Sequence, residues 1–382
     1  MRILILIPNI PEQLDEVKGG IYSASINLLE GLSKTSHTVR LVTFKKGLKK
    51  AVYKKYSERI DIHYIPEGFF PWHALNFLFI CPWAVRREVR EFKPDIVHYQ
   101  LGGTFLMTSI LGLGGAKSVL TAHGLALAEM VTTRNLRKKI TFFYNGVLER
   151  IFCPDYIIHL SNFSVELFNK YPGGKQNYTL IPNAIPEGFF NVPQKRETNN
   201  RILVIGNIDA NKNQTFVIDS IAEIAKTGKE FTVDIIGGFK DENYKREVMA
   251  KLEESGVAHL VNFKGWLSQS ELLQEWEEAD ILLLASRHES LPMVIAEAMA
   301  AGKVVVASAV GGVPEMFTDR ETGFLYPADD VERLCNVLQE LHDNSNLLHD
   351  VAQKAKLEAY ESYHIDSVSK KTLAYYSKIL NN

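Results

Sequence analysis

With 382 residues, of which 46% are apolar and 23% charged, the chain excludes intrinsic disorder and suits two folded domains of about 100–200 residues each. Its net charge of −2 hides a basic first half, with 24 Lys+Arg against 15 Asp+Glu over 1–195, and an acidic second half, with 19 against 30. A basic half suits an anionic surface or substrate, although two domains with unrelated charge histories would give the same asymmetry.

A strand-then-helix alternation begins at the N-terminus. The apolar run 3–8 is too short for a signal peptide and is predicted as a buried strand, followed by a turn at Gly19-Gly20 and a helix through Leu28 and Leu32. Further strands are predicted at 38–44, 60–65, 95–100, 117–124 and 155–161. These runs are short and apolar on both faces, which indicates a parallel sheet covered by helices.

Residues 180–200, rich in Pro, Asn and charge, are predicted as an interdomain linker, after which the alternation restarts. Strands are predicted at 201–207, 231–238, 259–265, 279–286 and 302–308, and helices at 214–227, 244–256, 268–279 and 292–301. Ser268 and Glu271 form a capping-box pattern. We therefore expect two wound α/β domains, over 1–190 and 198–360, and a helix over 361–382 that packs back toward the first.

Two acids eight residues apart, Glu289 and Glu297, stand on either side of a predicted helix start. Ser290 can cap this helix, Pro292 suits its first turn and Gly302 closes it. Glu289 then lies in the preceding loop, and Glu297 about a turn and a half inside the helix. A helix N-terminus offers free amides to a diphosphate, and carboxylates beside it can accept hydrogen bonds from sugar and ribose hydroxyls. A solvated loop acid and an ordinary helix-face residue are the alternative.

The block ESLPMVIAEAMAAGKVVVASAVGGVPE, followed by TGFLYPADD, resembles the donor-binding signature of the retaining GT-B glycosyltransferases of family 4. The resemblance covers most of the chain and is strongest over 201–327. It implies a GT-B fold, in which two Rossmann-like domains face each other across a cleft. It also implies that Glu289 contacts donor-sugar hydroxyls and that Glu297 contacts the ribose. Amides near Leu291 and Met293 would serve the phosphates.

The segment GNIDANKN, residues 206–213, is similar to the family's glycine-lysine segment after the first strand of the second domain. Lys212 matches the lysine expected on the diphosphate, and a solvated loop lysine is the alternative. Asn207 stands where the family usually has arginine, and losing such a cation typically costs a few kcal/mol of transition-state stabilisation. Either Arg287, adjacent to the acidic motif, substitutes for it, or the enzyme is slower or differently specific.

Four features of the first half match family positions less specifically. Gly19 and Gly20 lie where the family has a flexible glycine loop near the phosphates and acceptor. His123 ends a strand, and by resemblance it contacts the donor sugar, although a lone histidine is more often structural. His98 resembles another common family position. Asn183 matches a hinge segment and is interpreted as architecture rather than chemistry.

An aromatic and basic segment at 68–92 suits an interfacial element on anionic lipid, and residues 45–56 add six lysines. Its aromatic residues are Phe69, Phe70, Trp72, Phe77, Phe79 and Trp83, and its arginines are Arg86, Arg87 and Arg90. The family's acceptors are often lipid-linked sugars. We predict reversible binding to anionic membranes, with an ordinary buried helix and loop as the alternative.

Several other classes find no support. The basic residues come with no nucleic-acid-reading module, no G-x-G-x-x-G opens either half, and no metal-ligand spacing or D-x-D pair appears. The cysteines Cys81, Cys153 and Cys335 match no metal or redox spacing, and no stretch is apolar enough to cross a bilayer. We therefore expect a cytoplasmic protein, with possible peripheral binding to the inner face of the membrane, and no metal or other cofactor.

The predicted activity is transfer of a sugar from a UDP- or GDP-sugar to a glycan or lipid-linked hydroxyl acceptor, with retention, in cell-surface polysaccharide or glycolipid synthesis. Two alternatives stay open. One is a non-catalytic homologue that binds a sugar nucleotide or a glycan, which the Asn207 substitution favours. The other is a GT-B nucleotide-sugar epimerase, for which no additional acid/base residues are identified.

Overall fold

The computed structural model describes residues 1–12, 19–69, 73–124, 126, 130, 136–170, 177–195 and 197–381. The chain divides into two compact units, one formed by Met1–Ala184 with Ile365–Asn382 and the other by Ile185–His364. Each unit is built around its own sheet. No helix within the described ranges is long and apolar enough to span a membrane.

The sheet of the first unit has eight described strands. They are β1 Arg2–Pro8, β2 Thr38–Lys45, β3 Val52–Ser57, β4 Ile60–Pro66, β5 Ile96–Tyr99, β6 Lys117–Ala122, β7 Tyr156–His159 and β8 Asn177–Leu180. Their order is β3-β4-β2-β1-β5-β6-β7-β8, and every pairing is parallel except that of β3 with β4. The helices in this part of the chain are α1 Gly20–Ser33, α2 His73–Phe79, α3 Cys81–Phe92, α4 Leu136–Ile151 and α5 Asn162–Asn169, with a 3₁₀ helix at Gly103–Ser109.

The sheet of the second unit has six described strands, all parallel, in the order β11-β10-β9-β12-β13-β14. They are β9 Arg201–Ile205, β10 Thr232–Ile236, β11 Val261–Gly265, β12 Ile281–Leu284, β13 Val304–Ser308 and β14 Phe324–Tyr326. The helices are α6 Glu187–Phe190, α7 Gln214–Ala225, α8 Glu242–Ser255, α9 Gln269–Glu278, α10 Met293–Ala300, α11 Val331–Asp343 and α12 Ser345–Tyr363. The last helix, α13 Ile365–Asn381, returns to the first unit.

Strand β1 explains why the predicted strands read as continuous apolar runs. Successive side chains of a strand point to opposite faces. Ile3, Ile5 and Ile7 belong to one core cluster with residues of α1 and α13, whereas Leu4 and Leu6 belong to another with residues of α3. Both faces of the sheet are therefore covered, as predicted for parallel strands.

The predicted start of α9 and end of α8 are confirmed. The Ser268 hydroxyl accepts the Glu271 amide hydrogen at 3.3 Å, and the Glu271 carboxylate accepts that of Ser268 at 2.7 Å, which completes a capping box. Gly256 follows α8 in the left-handed conformation, with φ of 74°. Local side-chain chemistry sets both boundaries.

The linker predicted over 180–200 is wrong for its central part. Ile185, Phe189, Phe190 and Val192 are buried in a core cluster of the second unit, and α6 lies among them. The boundary between units falls at Ala184–Ile185. Prolines and polar residues dominate the segment's composition, but its few apolar side chains decide its packing.

Three described strands, β3, β8 and β14, were not predicted. Strand β3 lies at the edge of its sheet and carries exposed Lys54 and Lys55. Lysines blunt an edge strand against further pairing, and they also remove the apolar signal by which a strand is recognised.

Candidate functional site

Lys212 is positioned by the loop that follows β9. The Asp209 carboxylate accepts the backbone amide hydrogens of Asn211 at 3.1 Å and Lys212 at 3.0 Å, which tightens the loop. Gly206 has φ of 144°, and a Cβ there would lie 3.2 Å from Lys212 Cε. The glycine therefore supplies both the backbone conformation and the space across which the lysine stem passes.

The ammonium of Lys212 meets the carboxylate of Glu289, with Nζ 2.6 Å from Oε1. Their side chains are 20% and 12% exposed, so the pair is largely shielded but reachable from solvent. Two bonds hold the Glu289 segment: the Gly312 amide donates to the Glu289 carbonyl at 3.2 Å, and the Asn211 side-chain amide to the His288 carbonyl at 3.1 Å. Two predicted site residues are thus in direct contact.

This pair lies at the point where the strand order of the second sheet reverses. From β9 the chain moves outward through β10 and β11, and then returns to the other side of β9 with β12. Lys212 follows the carboxyl end of β9, and Glu289 follows that of β12. Open α/β sheets bind their ligands at such a switch point.

Helix α10 begins beside this pair in sequence, and its N-terminus has no side-chain cap. The expectation that Ser290 caps it is wrong: the N-cap position belongs to Pro292, whose ring has no hydrogen-bonding group to offer, and the helix starts at Met293. Met293 and Leu291 are half-buried. An uncapped N-terminus keeps amide hydrogens and positive potential available for an anion.

The other end of α10 is closed as predicted. Gly302 has φ of 64°, its amide donates to the Met299 carbonyl, and the Lys303 amide donates to the Ala298 carbonyl, each at 2.9 Å. This is the hydrogen-bond pattern of a Schellman motif.

Glu297 is the fifth residue of α10 and is half-buried. Desolvation raises the pKa of its carboxyl to about 7. Within the described residues no hydrogen bond or ion pair reaches this carboxyl group. A carboxyl group with unused acceptor oxygens can take hydrogen bonds from ligand hydroxyls.

Arg287 braces the Lys212 loop. Its guanidinium lies 3.1 Å from the Asp329 carboxylate and donates to the Ala210 carbonyl at 3.2 Å. Hydrogen bonds from Arg287 hold the pKa of Asp329 below its usual range, with Asn213 contributing further. Asn207, which stands where the family usually has arginine, is half-buried, and its carbonyl accepts a hydrogen bond from the Gln214 side chain at 3.1 Å.

The remaining predicted residues belong to the first unit. Gly19 precedes α1 with φ of 106°, and Gly20 is the first residue of that helix. The positive φ requires glycine at position 19. His123 immediately follows β6, and its Nε2 lies 2.9 Å from the side-chain oxygen of Gln100.

His123 ends a hydrogen-bonded chain that begins on α13. The Tyr376 hydroxyl lies 2.6 Å from Nδ1 of His98, whose Nε2 lies 2.7 Å from the Thr121 hydroxyl. The side-chain nitrogen of Gln100 lies 3.2 Å from His98 Nδ1, and its oxygen meets His123. His98, which resembles another common family position, is fully buried with both ring nitrogens engaged, so in this structure it supports the chain of polar groups.

Burial keeps both histidines neutral. Desolvation lowers the pKa of His98 to about 3, with repulsion from His123 adding to the shift, and desolvation lowers that of His123 to about 4. With Nε2–H donated to Gln100, His123 presents Nδ1 as an acceptor, which is buried and has no partner among the described residues. His98, Gln100, Thr121, His123 and Asn183 line one small cavity.

Sequence reasoning missed Asp209, Asp329, Gln100 and Tyr376. Asp209 could have been found from the sequence, because an Asp side chain often accepts hydrogen bonds from the main-chain amides two and three residues after it in a turn. Tyr376 carried none, because its partner is 278 residues away in sequence.

The predicted membrane segments are partly exposed. Phe69, Phe79 and Trp83 are exposed, whereas Phe77 is buried in the core. Phe70 and Trp72 lie outside the described residues. Arg87 and Arg90 are exposed, and Arg86 donates to the Leu111 carbonyl. Of the six lysines, Lys45 and Lys54 pair with Glu12.

No group of three or more His, Cys, Asp or Glu side chains that could hold a metal ion occurs among the residues the structure describes. Metal independence stays a prediction.

Two family models match adjoining parts of the chain. Residues 18–188 match the model described as glycosyltransferase family 4, and residues 187–358 match that of the glycosyl transferases group 1. A Campylobacter jejuni N-acetylgalactosaminyltransferase, whose name gives an undecaprenol-diphosphate-linked glycan as acceptor, is 24% identical over 95% of this chain and 96% of its own. An uncharacterised 41.2 kDa protein in the cps region of Klebsiella pneumoniae is 23% identical over 86% of this chain and 89% of its own.

Solved structures share the fold. Sucrose-phosphate synthase from Thermosynechococcus elongatus superposes with a TM-score of 0.81 at 16% identity, covering 100% of this chain and 99% of its own. HepE from Anabaena, solved with UDP, gives a TM-score of 0.75 at 17% identity and covers 99% of this chain and 100% of its own. The predicted GT-B fold is confirmed.

Proposed function

Because the chain belongs to the group 1, family 4 glycosyltransferases, we propose that it transfers a sugar from a UDP- or GDP-sugar to a hydroxyl acceptor. The observation that carries this proposal is the Lys212–Glu289 pair at the switch point of the second sheet, on the segment that leads into the uncapped N-terminus of α10. An ammonium, free amides and a carboxylate are the groups that a diphosphate linked to a sugar requires.

Each part of the donor has a proposed partner among these groups. Lys212 and the amides at Leu291 and Met293 bind the diphosphate, Glu289 accepts hydrogen bonds from the sugar, and Glu297 accepts them from the ribose. When a donor binds, its diphosphate forms an ion pair with Lys212 and so competes with Glu289 for the ammonium group. Glu289 then gains freedom to meet the sugar hydroxyls, which couples binding of the two donor parts.

The transfer step balances without a co-reactant. The acceptor oxygen bonds to the anomeric carbon, the bond from that carbon to the diphosphate oxygen breaks, and its electron pair leaves with the nucleoside diphosphate. The acceptor proton passes to the departing phosphate or to solvent. Lys212 and the helix amides stabilise the negative charge that develops on the leaving group. We propose retention of anomeric configuration and no metal requirement, both from the family resemblance.

In the first unit, His123 is proposed to contact the donor sugar, and the Gly19-Gly20 turn to allow close approach of backbone to ligand. A neutral histidine suits this role, because it adds an acceptor without a second positive charge. The part-buried contact between His123 Nε2 and the Gln100 side-chain oxygen orients the imidazole ring.

The acceptor is proposed to be a glycan or lipid-linked sugar in cell-surface polysaccharide or glycolipid synthesis, used at the inner face of the membrane. The name of the Campylobacter jejuni relative supports a lipid-linked acceptor, and the position of the Klebsiella pneumoniae relative in a cps region supports polysaccharide synthesis. The basic first half suits an anionic surface.

A panel of UDP-, GDP- and ADP-sugars in a thermal-shift assay tests the donor assignment, because a ligand at a hundred times its Kd stabilises the folded state by about 2.7 kcal/mol. Stabilisation by one nucleotide class, with slow hydrolysis of that donor in the absence of acceptor, supports the proposal. Activity that survives exhaustive chelation with EDTA supports metal independence. No stabilisation by any sugar nucleotide would overturn the donor assignment.

Asn207 favours one second candidate, a homologue that binds a sugar nucleotide without transferring it. The observation is that Arg287, the arginine adjacent to the acidic motif, forms an ion pair with Asp329. Tight donor binding with no hydrolysis and no transfer to any acceptor would favour this candidate over the enzyme.

A further inference from the structure

Helix α4 exposes an apolar stripe along its length. Leu136 is 72% exposed, Ile140 62%, Phe143 56% and Ile151 65%, and Tyr144 and Val147 are exposed as well. These positions recur at intervals of three and four residues, so at about 100° per residue they fall on one face of the helix. The opposite side buries Gly146, Leu148 and Glu149. An amphipathic helix of a globular protein normally packs its apolar face inward, and α4 does the reverse.

Cations flank the stripe and no carboxylate interrupts it. Arg137 and Lys139 are exposed, and at about 100° per residue they fall on opposite edges of the stripe. The one acid on α4, Glu149, is buried. The exposed face is therefore apolar along its centre and positive at its margins.

Helix α4 is also tied to the loop after β6. The Glu149 carboxylate accepts the amide hydrogen of Ala126, three residues beyond His123, at 3.3 Å. A Cβ on Gly102 would lie 2.4 Å from Glu149 Oε1, so this fit depends on glycine. The Asn145 side chain accepts the Thr104 amide hydrogen at 3.1 Å and joins α4 to the 3₁₀ helix. That 3₁₀ helix packs against α2 and α3, which carry the exposed Phe79 and Trp83.

We propose that the stripe of α4, residues Leu136, Ile140, Phe143, Tyr144, Val147 and Ile151 with Arg137 and Lys139 at its edges, is the surface by which the first unit lies on an anionic bilayer. An interfacial helix lies in the plane of the membrane with apolar side chains among the acyl chains and cations among the headgroups. The inference rests on the proposed lipid-linked acceptor, because Glu149, on the side of α4 opposite the stripe, holds the loop that follows His123.

The charge pattern favours a bilayer over a second copy of the chain. A symmetric dimer formed through this face would bring Arg137 and Lys139 of both copies together around an apolar seam, with no exposed acid on α4 to balance them. Anionic headgroups supply the missing negative charge along the whole stripe.

Sedimentation of the full chain with vesicles tests the proposal. The wild type should bind vesicles of phosphatidylcholine with phosphatidylglycerol, bind phosphatidylcholine alone much less, and lose binding as salt rises. Ile140→Ser with Phe143→Ser should weaken binding about tenfold or more, because the apolar contact is lost. Arg137→Gln with Lys139→Gln should weaken it roughly tenfold and flatten its salt dependence. Leu357→Ser, at a residue on α12 that is 71% exposed, is the matched control and should bind like the wild type.

Three results would overturn the proposal. The first is wild-type vesicle binding by both α4 double variants. The second is release by changing Lys49, Lys50, Lys54 and Lys55 to Gln while the α4 variants still bind, which would place the contact at the lysine segment. The third is a molar mass, measured by light scattering, that differs between the α4 variants and the wild type while their vesicle binding is the same. That result would identify a second copy of the chain as the partner.

Two further measurements on the same variants separate this inference from the proposed function. The donor-induced thermal shift and transfer to a soluble acceptor should match the wild type in the α4 variants. If both are retained while vesicle binding never depended on α4, only the membrane surface is wrong. If the wild type itself fails both, the proposed function is wrong. Should the apolar double variant fail to fold, the Arg137 and Lys139 pair of changes, on exposed side chains, still decides the question.

Discussion

The two units hold their predicted site residues by opposite electrostatic means. In the second unit Lys212 and Glu289 form a charged pair 2.6 Å apart at the ends of adjacent strands. In the first unit His123 is kept neutral by burial and oriented by a chain of polar groups that reaches Tyr376. In the proposed function, the charged pair of the second unit binds a phosphate, and the neutral, fixed histidine of the first unit binds sugar hydroxyls. If this contrast is real, changing charge should matter most in the second unit, and changing hydrogen-bond geometry should matter most in the first.

Glu289→Gln should have the largest effect, because it preserves size while removing both the charge proposed to face the sugar and the ionic partner of Lys212. We expect turnover to fall about 10²–10³-fold with the fold intact, measured as initial transfer rates and melting temperature. Glu332→Gln, at an exposed acid on α11, is the control and should change neither. Near-wild-type transfer by the Glu289 variant would remove this residue from the site.

Lys212→Met should weaken nucleoside diphosphate affinity about 10- to 100-fold, because a charge-assisted contact to phosphate is lost. Calorimetric titration with UDP and GDP measures this directly, without dependence on the acceptor. Lys226→Met, at the exposed end of α7, supplies the comparison. An unchanged affinity would move Lys212 off the diphosphate and leave it as the structural partner of Glu289.

Tyr376→Phe should lower turnover roughly tenfold by loosening the support of His123, since removing one partner of a buried hydrogen bond typically costs about 1–3 kcal/mol. Tyr375→Phe, one residue earlier on α13, removes hydroxyl bonds to the backbone of β7 and β8 instead. It should reduce the free energy of unfolding by a similar amount while leaving turnover unchanged. Equal effects of both variants on turnover would show that Tyr376 acts only through stability.

The titration of Glu297 predicts a pH dependence of stability. Burial raises its pKa from 4.5 to about 7, so between these values the folded state binds more protons than the unfolded state. Stability contributed by the protonated carboxyl is present below pH 4.5 and is lost as pH rises toward 7 and above. Glu297→Gln removes this loss. The free energy of unfolding of the variant, relative to that of the wild type, should therefore increase by up to about 3 kcal/mol between pH 4.5 and 7. Melting temperatures of the two proteins measured across this pH range check the prediction. A pH-independent difference would mean that Glu297 is solvated and ionised throughout.

Asn207→Arg should have the smallest effect and tests the missing cation. If the leaving group lacks a positive charge, this change should raise donor affinity or turnover by up to about tenfold. If Arg287 leaves Asp329 to fill the role when donor binds, Asn207→Arg should do nothing, and Arg287→Ala should then reduce turnover. Donor titrations on the two variants separate these possibilities.

Much of the fold was predictable because its signals are local. The apolar runs of β1, β9 and β12, the capping box at Ser268 and the glycine end at Gly256 all depend on residues within a few positions of one another. Prediction failed where a local signal was weak or misleading. Edge strand β3 carries lysines, and the segment Ile185–Val192 hides buried phenylalanines among prolines and polar residues.

The sequence by itself determined the strand-and-helix alternation, the position of Glu297 inside its helix and the identity of the candidate site residues. Only the tertiary structure decided which of them meet. Lys212 and Glu289 are 77 residues apart in the chain, and they come together because β12 returns beside β9. The stripe on α4 is a second example. The spacing of its apolar residues predicts an apolar helix face, but only the tertiary structure shows that this face is exposed. Periodicity is a property of a few neighbouring residues, whereas contact and exposure depend on how distant segments pack.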